Sequence, residues 1–244
     1  MALAEEFEQS GNWLFKRRGY LPMAMLAAGI FILLLKDYDP GRNFLVTDFV
    51  FLFVSFIGLG IRAFTIGQAP KNTSGRNIKE QKADEVNTTG TYSIVRHPLY
   101  IGNFVIWLGL ALFTESFWFI VIFILAFWLY YERIMFAEEQ YLRKKFGRNY
   151  EEWAMRTPPF LPKFSLWTPG NLSFSWKNIF KREYNGFGNI IFAFTILDLV
   201  RNYRITGNYY PELRWIIIFF SGLIIWLILR TLEKKTNLFH VEGR

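Results

Sequence analysis

"PLYIGNFVIWLGLALFTESFWFIVIFILAFWLYY", residues 98–131, contains a single charged side chain, Glu115. Each flank, 98–114 and 116–131, lies near the lower end of the roughly 17–25 mostly apolar residues that a membrane-crossing helix needs. The interruption Thr114-Glu115-Ser116 reads as a tight tip. There a hydroxyl can cap the second helix, and Glu115 favours that helix's positive N-terminal end. The stretch is therefore a helical hairpin set in a membrane. Working outward, residues 20–35 (YLPMAMLAAGIFILLL), 49–61 and 215–229 are also uncharged. The second of these lengthens toward Asn43 if Asp48 is tolerated. Residues 187–200 are apolar but short, and Asp198 interrupts them. The pattern predicts an all-α, polytopic integral membrane protein of about six spans.

Composition agrees with that class. Hydrophobic residues make up 52% of the 244 and aromatic residues 20%, with 27 Phe and 9 Trp. Aromatic rings in such numbers suit the interfaces of a bilayer. The formal net charge of +8 has no separate basic domain to carry it. It reads as loop charge beside anionic headgroups, not as a nucleic-acid surface. With no cysteine, disulfides, thiolate metal sites and cysteine nucleophiles are excluded, and no metal site is expected.

Basic residues set the expected orientation. Lys16, Arg17 and Arg18 precede the first span, after an N-terminal stretch that lacks the features of a cleaved signal peptide and reads as an interfacial helix. The loop from Arg62 to Arg96 and the segment 132–182 are again rich in basic residues, as is the end beyond residue 229. Both termini and the polar segments are therefore expected in the cytoplasm. Composition changes after Pro162, where FSLWTPGNLSFSWKN forms a Pro-, Gly- and Trp-rich loop. The chain divides there into a core, 1–162, and an extension, 163–244.

Two short motifs are best read plainly. "GLGIRA", residues 58–63, fits a dinucleotide fingerprint, but it ends an apolar helix where small residues serve close packing. Two Asn-x-Thr/Ser sequons in the loop 69–98 fall on the cytoplasmic side and are matches by chance. Arg62, at the end of the same helix, either reaches to the interface or faces a polar cavity.

"SIVRHPLYIGN", residues 93–103, places a guanidinium and an imidazole at the mouth of the hairpin. Pro98 suits a first helical turn, whose unbonded N–H groups can receive an anion. Tyr100 and Gly102 could admit a flat ligand, or the whole element could be an interfacial anchor. The second polar cluster, "YERIMFAEEQYLRKKFGRNYEEWAMRTPPFLP", residues 131–162, tips this balance. It leaves the hairpin's second helix on the same membrane face, with Gly147 ending that helix. Tyr150, Trp153 and Arg156 then recur at three-residue spacing.

The pairing of "TGTYSIVRHPLYIGN" with "EEQYLRKKFGRNYEEWAMRTPPFLP" resembles the isoprenylcysteine carboxyl methyltransferase and phospholipid methyltransferase superfamily of integral membrane enzymes. The resemblance covers residues 84–162. It implies an S-adenosylmethionine-dependent methyltransferase whose donor binds between the two segments. It implies His97, Pro98, Leu99, Tyr100, Gly102 and Asn103 as cofactor contacts, with Glu138 and Glu139 continuing the pocket. Isoprenylcysteine members end the second element in Arg-Val-Pro, the arginine serving the substrate carboxylate. Here Arg156-Thr157-Pro158 stands in that place, with the valine changed.

The residues make sense of that chemistry. Methyl transfer to an anionic oxygen needs alignment and dryness rather than a base, and a guanidinium fork holds such an oxygen bidentately. Arg62, Arg76 and Arg156 are the candidate anion holders. The favoured acceptor is a carboxylate or phosphate on a lipid or lipidated molecule, within the bilayer. The alternatives are a phospholipid amine acceptor, which would have to lose a proton, a nicotinamide-dependent reductase of the sterol-reductase type, and a scaffold without catalysis.

Overall fold

The computed structural model describes residues 2–39, 41–70, 83–170 and 172–241. Arg76 and the turn at residues 73–75 lie outside the described residues. Described residues form helices and connecting turns with one isolated bridge, Gly90 to Thr168. The helices are α1 (Leu3–Lys16), α2 (Tyr20–Leu35), α3 (Leu45–Gln68), α4 (Thr91–Ile94), α5 (Pro98–Phe113), α6 (Phe117–Phe146), α7 (Arg148–Arg156), α8 (Trp176–Thr206) and α9 (Leu213–Lys235). The all-α membrane architecture expected from the sequence is the one found.

Among the described residues three helices, α3, α6 and α9, are long and apolar enough to cross a membrane, and α1 with α2 would make a fourth as one span bent by 73°. The expected count of six is not reached on that criterion. The helix α5 has only 16 residues. The short run 187–200 is the middle of α8, a single 31-residue helix whose two ends are polar.

The hairpin closes as its tip residues dictate. The Ser116 hydroxyl accepts from Phe119 N–H, capping α6. Glu115 takes a left-handed backbone (φ 49°), uncommon for a residue with a Cβ. Its carboxylate receives Arg42 at 2.5 Å and Lys36 at 3.4 Å, tying the tip to the α2–α3 connection.

Small residues bring α3 and α5 close along their length. A Cβ at Gly58 would collide with the backbone of Gly102 and Ile106, and one at Gly109 with Ser55. Ser55 Oγ in turn donates to the Ile106 carbonyl at 2.7 Å. Gly58 of "GLGIRA" is thus a packing glycine, whereas Gly60 faces open space. Around this pair the core is shared by the whole chain. Leu33, Leu52, Ile106 and Phe113 pack with Ile190, Phe194, Leu197 and Trp215, so residues on both sides of Pro162 build one cluster.

Asp48, the charge that shortened an apolar run, is tolerated because it is saturated. Arg201 reaches its two oxygens at 2.7 and 2.6 Å, and Arg214 adds a bond at 2.9 Å. Arg201 also binds Asp198 at 2.9 Å and lies over the rings of Phe44 and Phe113. Asp48, Asp198 and Arg201 are 1%, 0% and 2% exposed. Asp198 and Arg201 thus bolt α8 and α9 to α3, and neither lines the cavity described below.

Removing one partner of a buried ion cluster costs about 3–5 kcal/mol, because the remaining charges stay desolvated. Asp48→Asn should therefore lower the thermal unfolding midpoint in detergent sharply. Asp37→Asn, which touches only the exposed 3.7 Å pair with Arg204, should leave it in place.

Candidate functional site

The cavity of interest lies where the α1–α2 elbow, the end of α3, the start of α5 and the C-terminal part of α6 meet. It holds about 690 Å³, within the size range of ligand sites. Its positions come from local sequence. Pro98 starts α5 at its first turn, leaving Arg96 and His97 in extended or irregular backbone just before it. The returning chain holds them there, Arg96 N–H donating to Pro158 O at 2.9 Å and His97 N–H to Pro159 O at 3.3 Å. Pro158 and Pro159 thus do more than stop α7.

Five side chains interlock across the α5–α6 gap. His97 Nε2 lies 2.9 Å from Glu139 Oε1. A carboxylate only accepts, so that nitrogen carries the proton. Arg96 donates to the other Glu139 oxygen at 2.8 Å. Tyr100 O–H donates to Glu138 at 2.8 Å, and His97 Nδ1 stands 3.7 Å from the same carboxylate. The His97 and Tyr100 rings stack with centroids 5.7 Å apart, forming a flat wall. Glu138 faces the cavity and Glu139 sits behind it as the brace for Arg96 and His97.

Tyr150 closes the lower side. Burial, then the neighbouring Glu139 carboxylate, pushes its phenol well above the ordinary tyrosine range, so the hydroxyl stays protonated. Trp153 beside it is fixed by a 3.2 Å bond from its indole N–H to the Tyr92 carbonyl.

Arg62 resolves its two open readings in favour of the cavity. Its Nη1 donates to Asn103 at 2.7 Å, while Nε and Nη2 fork onto Glu183 of α8 at 2.9 and 2.7 Å. Gly102 is required by this placement. A Cβ there would strike Cγ of Arg62, so glycine clears the path for the arginine stem rather than for a flat ligand.

Several expectations need correction. Arg156 does not line the cavity. It is exposed, its Nε bonded to the Glu152 carbonyl. Three-residue steps turn a helix by about 300° each, so by Arg156 the row begun at Tyr150 has drifted off the inward face. The anion cradle expected at the α5 N-terminus is also largely spent. Pro98 has no N–H, and Tyr100 and Ile101 donate to the His97 carbonyl. His97, Pro98, Leu99, Tyr100, Asn103, Glu138 and Arg62 all line the cavity. Arg96, whose role the sequence left open, lines it as well. The rim carries Lys16, Arg17, Arg18 and Arg182. Glu183 escaped sequence reasoning. Only its position as a lone acid in Lys181-Arg182-Glu183, just before an apolar run, could have flagged it.

Comparison with known proteins places these residues in a wider setting. A family model described as phospholipid methyltransferase matches residues 41–149, which includes Arg62, His97 and Glu138 but not Arg156 or Glu183. The chain is 34% identical over 119 residues to a nickel-cobalt-cadmium resistance protein of Alcaligenes xylosoxydans xylosoxydans, covering 49% of this chain and 55% of that protein. It is 29% identical over 123 residues to the protein-S-isoprenylcysteine O-methyltransferase of Schizosaccharomyces pombe, covering 49% and 52%. It is 30% identical over 151 residues to protein-S-isoprenylcysteine O-methyltransferase B of Arabidopsis thaliana, covering 54% and 76%. The chain thus spans about half the length of the first two of these relatives. No solved structure matches it.

Crowding at the Arg62 stem can be probed directly. Overpacking a tight site costs about 1–3 kcal/mol, so Gly102→Ala should lower the unfolding midpoint in detergent. Gly60→Ala, in open space, should not.

Proposed function

From its place in the isoprenylcysteine and phospholipid methyltransferase superfamily, to which the chain belongs, we propose that it transfers a methyl group from S-adenosylmethionine to an anionic oxygen on a lipid or lipidated acceptor. The observation that carries this reading is the interlock of His97, Tyr100, Glu138 and Glu139 forming one wall of a cavity with a cationic rim. Those residues suit a donor of that kind. Glu138 presents a carboxylate to the cavity, able to accept from hydroxyl or amino groups or to balance a cation. The stacked His97–Tyr100 rings offer a flat face, and the rim cations suit a ligand carboxylate. When bound, S-adenosylmethionine supplies an electrophilic methyl group on a sulfonium.

What the chain contributes is alignment and dryness. Glu139 fixes the His97 tautomer and the Arg96 guanidinium, so the wall does not reorganise when ligand arrives. Tyr150 and Trp153 seal the side of the cavity toward α7. Arg62, held by Asn103 and lining the same cavity, is the guanidinium assigned to an oxyanion acceptor. Two exposed residues at the elbow, Tyr20 and Met23, line the same cavity and suit the acyl or prenyl part of the acceptor. The density of basic residues at this end supports a cytoplasmic face for the cavity under the positive-inside rule.

Calorimetric titration of S-adenosylmethionine onto the detergent-solubilised protein tests the donor assignment. Saturable binding is expected, weakened at least about tenfold, or about 1.4 kcal/mol, by His97→Ala or Glu139→Ala and unchanged by Arg156→Ala. No saturable binding to the intact protein contradicts the reading.

A further inference from the structure

The chain carries two buried ion pairs between α3 and α8, one near each end, and they are built differently. At the end away from the cavity, Asp48 and Arg201 are sealed, their side chains 1% and 2% exposed and each bound to further partners. At the cavity end, Arg62 keeps 22% of its side chain exposed while Glu183 is 6% exposed. The first pair is a bolt. The second opens onto a ligand-sized space.

The way Arg62 is held separates its position from its partner. Its stem runs over Gly102, where no Cβ stands in its way, and its Nη1 is anchored on Asn103 at 2.7 Å. Both supports lie within the residues that match the phospholipid methyltransferase family. Glu183, from α8 beyond that match, fills the Nε–Nη2 edge at 2.9 and 2.7 Å. That edge presents two parallel N–H groups, the geometry that suits a carboxylate or phosphate. Arg62 would therefore remain in place without Glu183, with its recognition edge bare.

We propose that Glu183 is an internal stand-in for the acceptor's oxyanion, occupying the Arg62 fork until an acceptor carboxylate or phosphate displaces it. This deepens the anionic-acceptor reading above and rests on it. The pair then sets specificity. A neutral headgroup gains nothing by displacing Glu183, because it would leave two buried charges separated. An oxyanion replaces the lost contact in kind. The apparent affinity for any anionic acceptor is reduced by the fraction of forks already occupied.

Binding of oleate, as a lipid carboxylate, and of phosphatidic acid, as a lipid phosphate, to the intact detergent-solubilised protein tests this. Glu183→Gln should tighten binding of one or both about tenfold, and the probe that responds identifies the source of the oxyanion. Arg62→Gln should weaken the same probe at least about tenfold, while uncharged oleyl alcohol binds all variants alike. Glu183→Asp keeps the charge but shortens the reach, and should tighten binding in the same direction. It decides the matter if the glutamine variant does not fold. Oxyanion binding no tighter in these Glu183 variants than in the unsubstituted protein overturns the stand-in. S-adenosylmethionine titration of the same samples separates the two failures. Retained donor binding with no Glu183 effect rejects the stand-in alone, whereas absent donor binding in the unsubstituted protein rejects the methyltransferase reading.

Discussion

A charge carried on a helix as apolar as these is costly unless a counter-charge meets it inside the bundle. That constraint orders the structure. Asp48 draws Arg201 and Arg214 to α3, and Arg62 draws Glu183 to the same helix from the other end of α8. Glu138 and Glu139 draw Arg96, His97 and Tyr100 across the α5–α6 gap. Apolar packing supplies most of the contact area, but it is tolerant of register. The ion pairs are not, because a slip of one residue turns a charged group toward lipid.

Those pairings also explain why the second half of the chain belongs to the site. The division at Pro162 follows composition, and composition changes there. Yet α8 contributes Phe194 and Leu197 to the central cluster and Arg182 and Glu183 to the cavity. The segment after α7 returns to hold the backbone of Arg96 and His97. A core closed by its own C-terminal helices is a different object from a core with an appendage. In this arrangement Arg182 and Glu183, outside the family match, line the cavity together with residues inside it.

Much of the fold was legible because its signals are local. Apolar runs marked the helices, Pro98 the start of α5, Ser116 the cap of α6 and Gly147 its end. The His97–Glu139 constellation was legible only through resemblance to a family, since nothing in spacing alone says that positions 42 apart touch. Arg156 was carried over from the family's Arg-Val-Pro element, and in the fold it is exposed and bonded to the Glu152 carbonyl of its own helix. The pairing of Arg62 with Glu183 spans 121 residues and that of Asp48 with Arg201 spans 153. In sequence Asp48 looked like an interruption, Arg62 was left open between the interface and a polar cavity, and Glu183 drew no notice. Only the fold reveals which opposite charge each was waiting for.

Methyl transfer itself is the central claim. The direct measurement is to incubate membranes containing the protein with methyl-labelled S-adenosylmethionine, extract the lipids and lipidated molecules, and count the label. The account predicts label in the extract above that of membranes lacking the protein, with mass spectrometry showing a gain of one methyl group on an acidic species and His97→Ala abolishing it. An extract with no label above those control membranes, from protein shown to be folded, would contradict it.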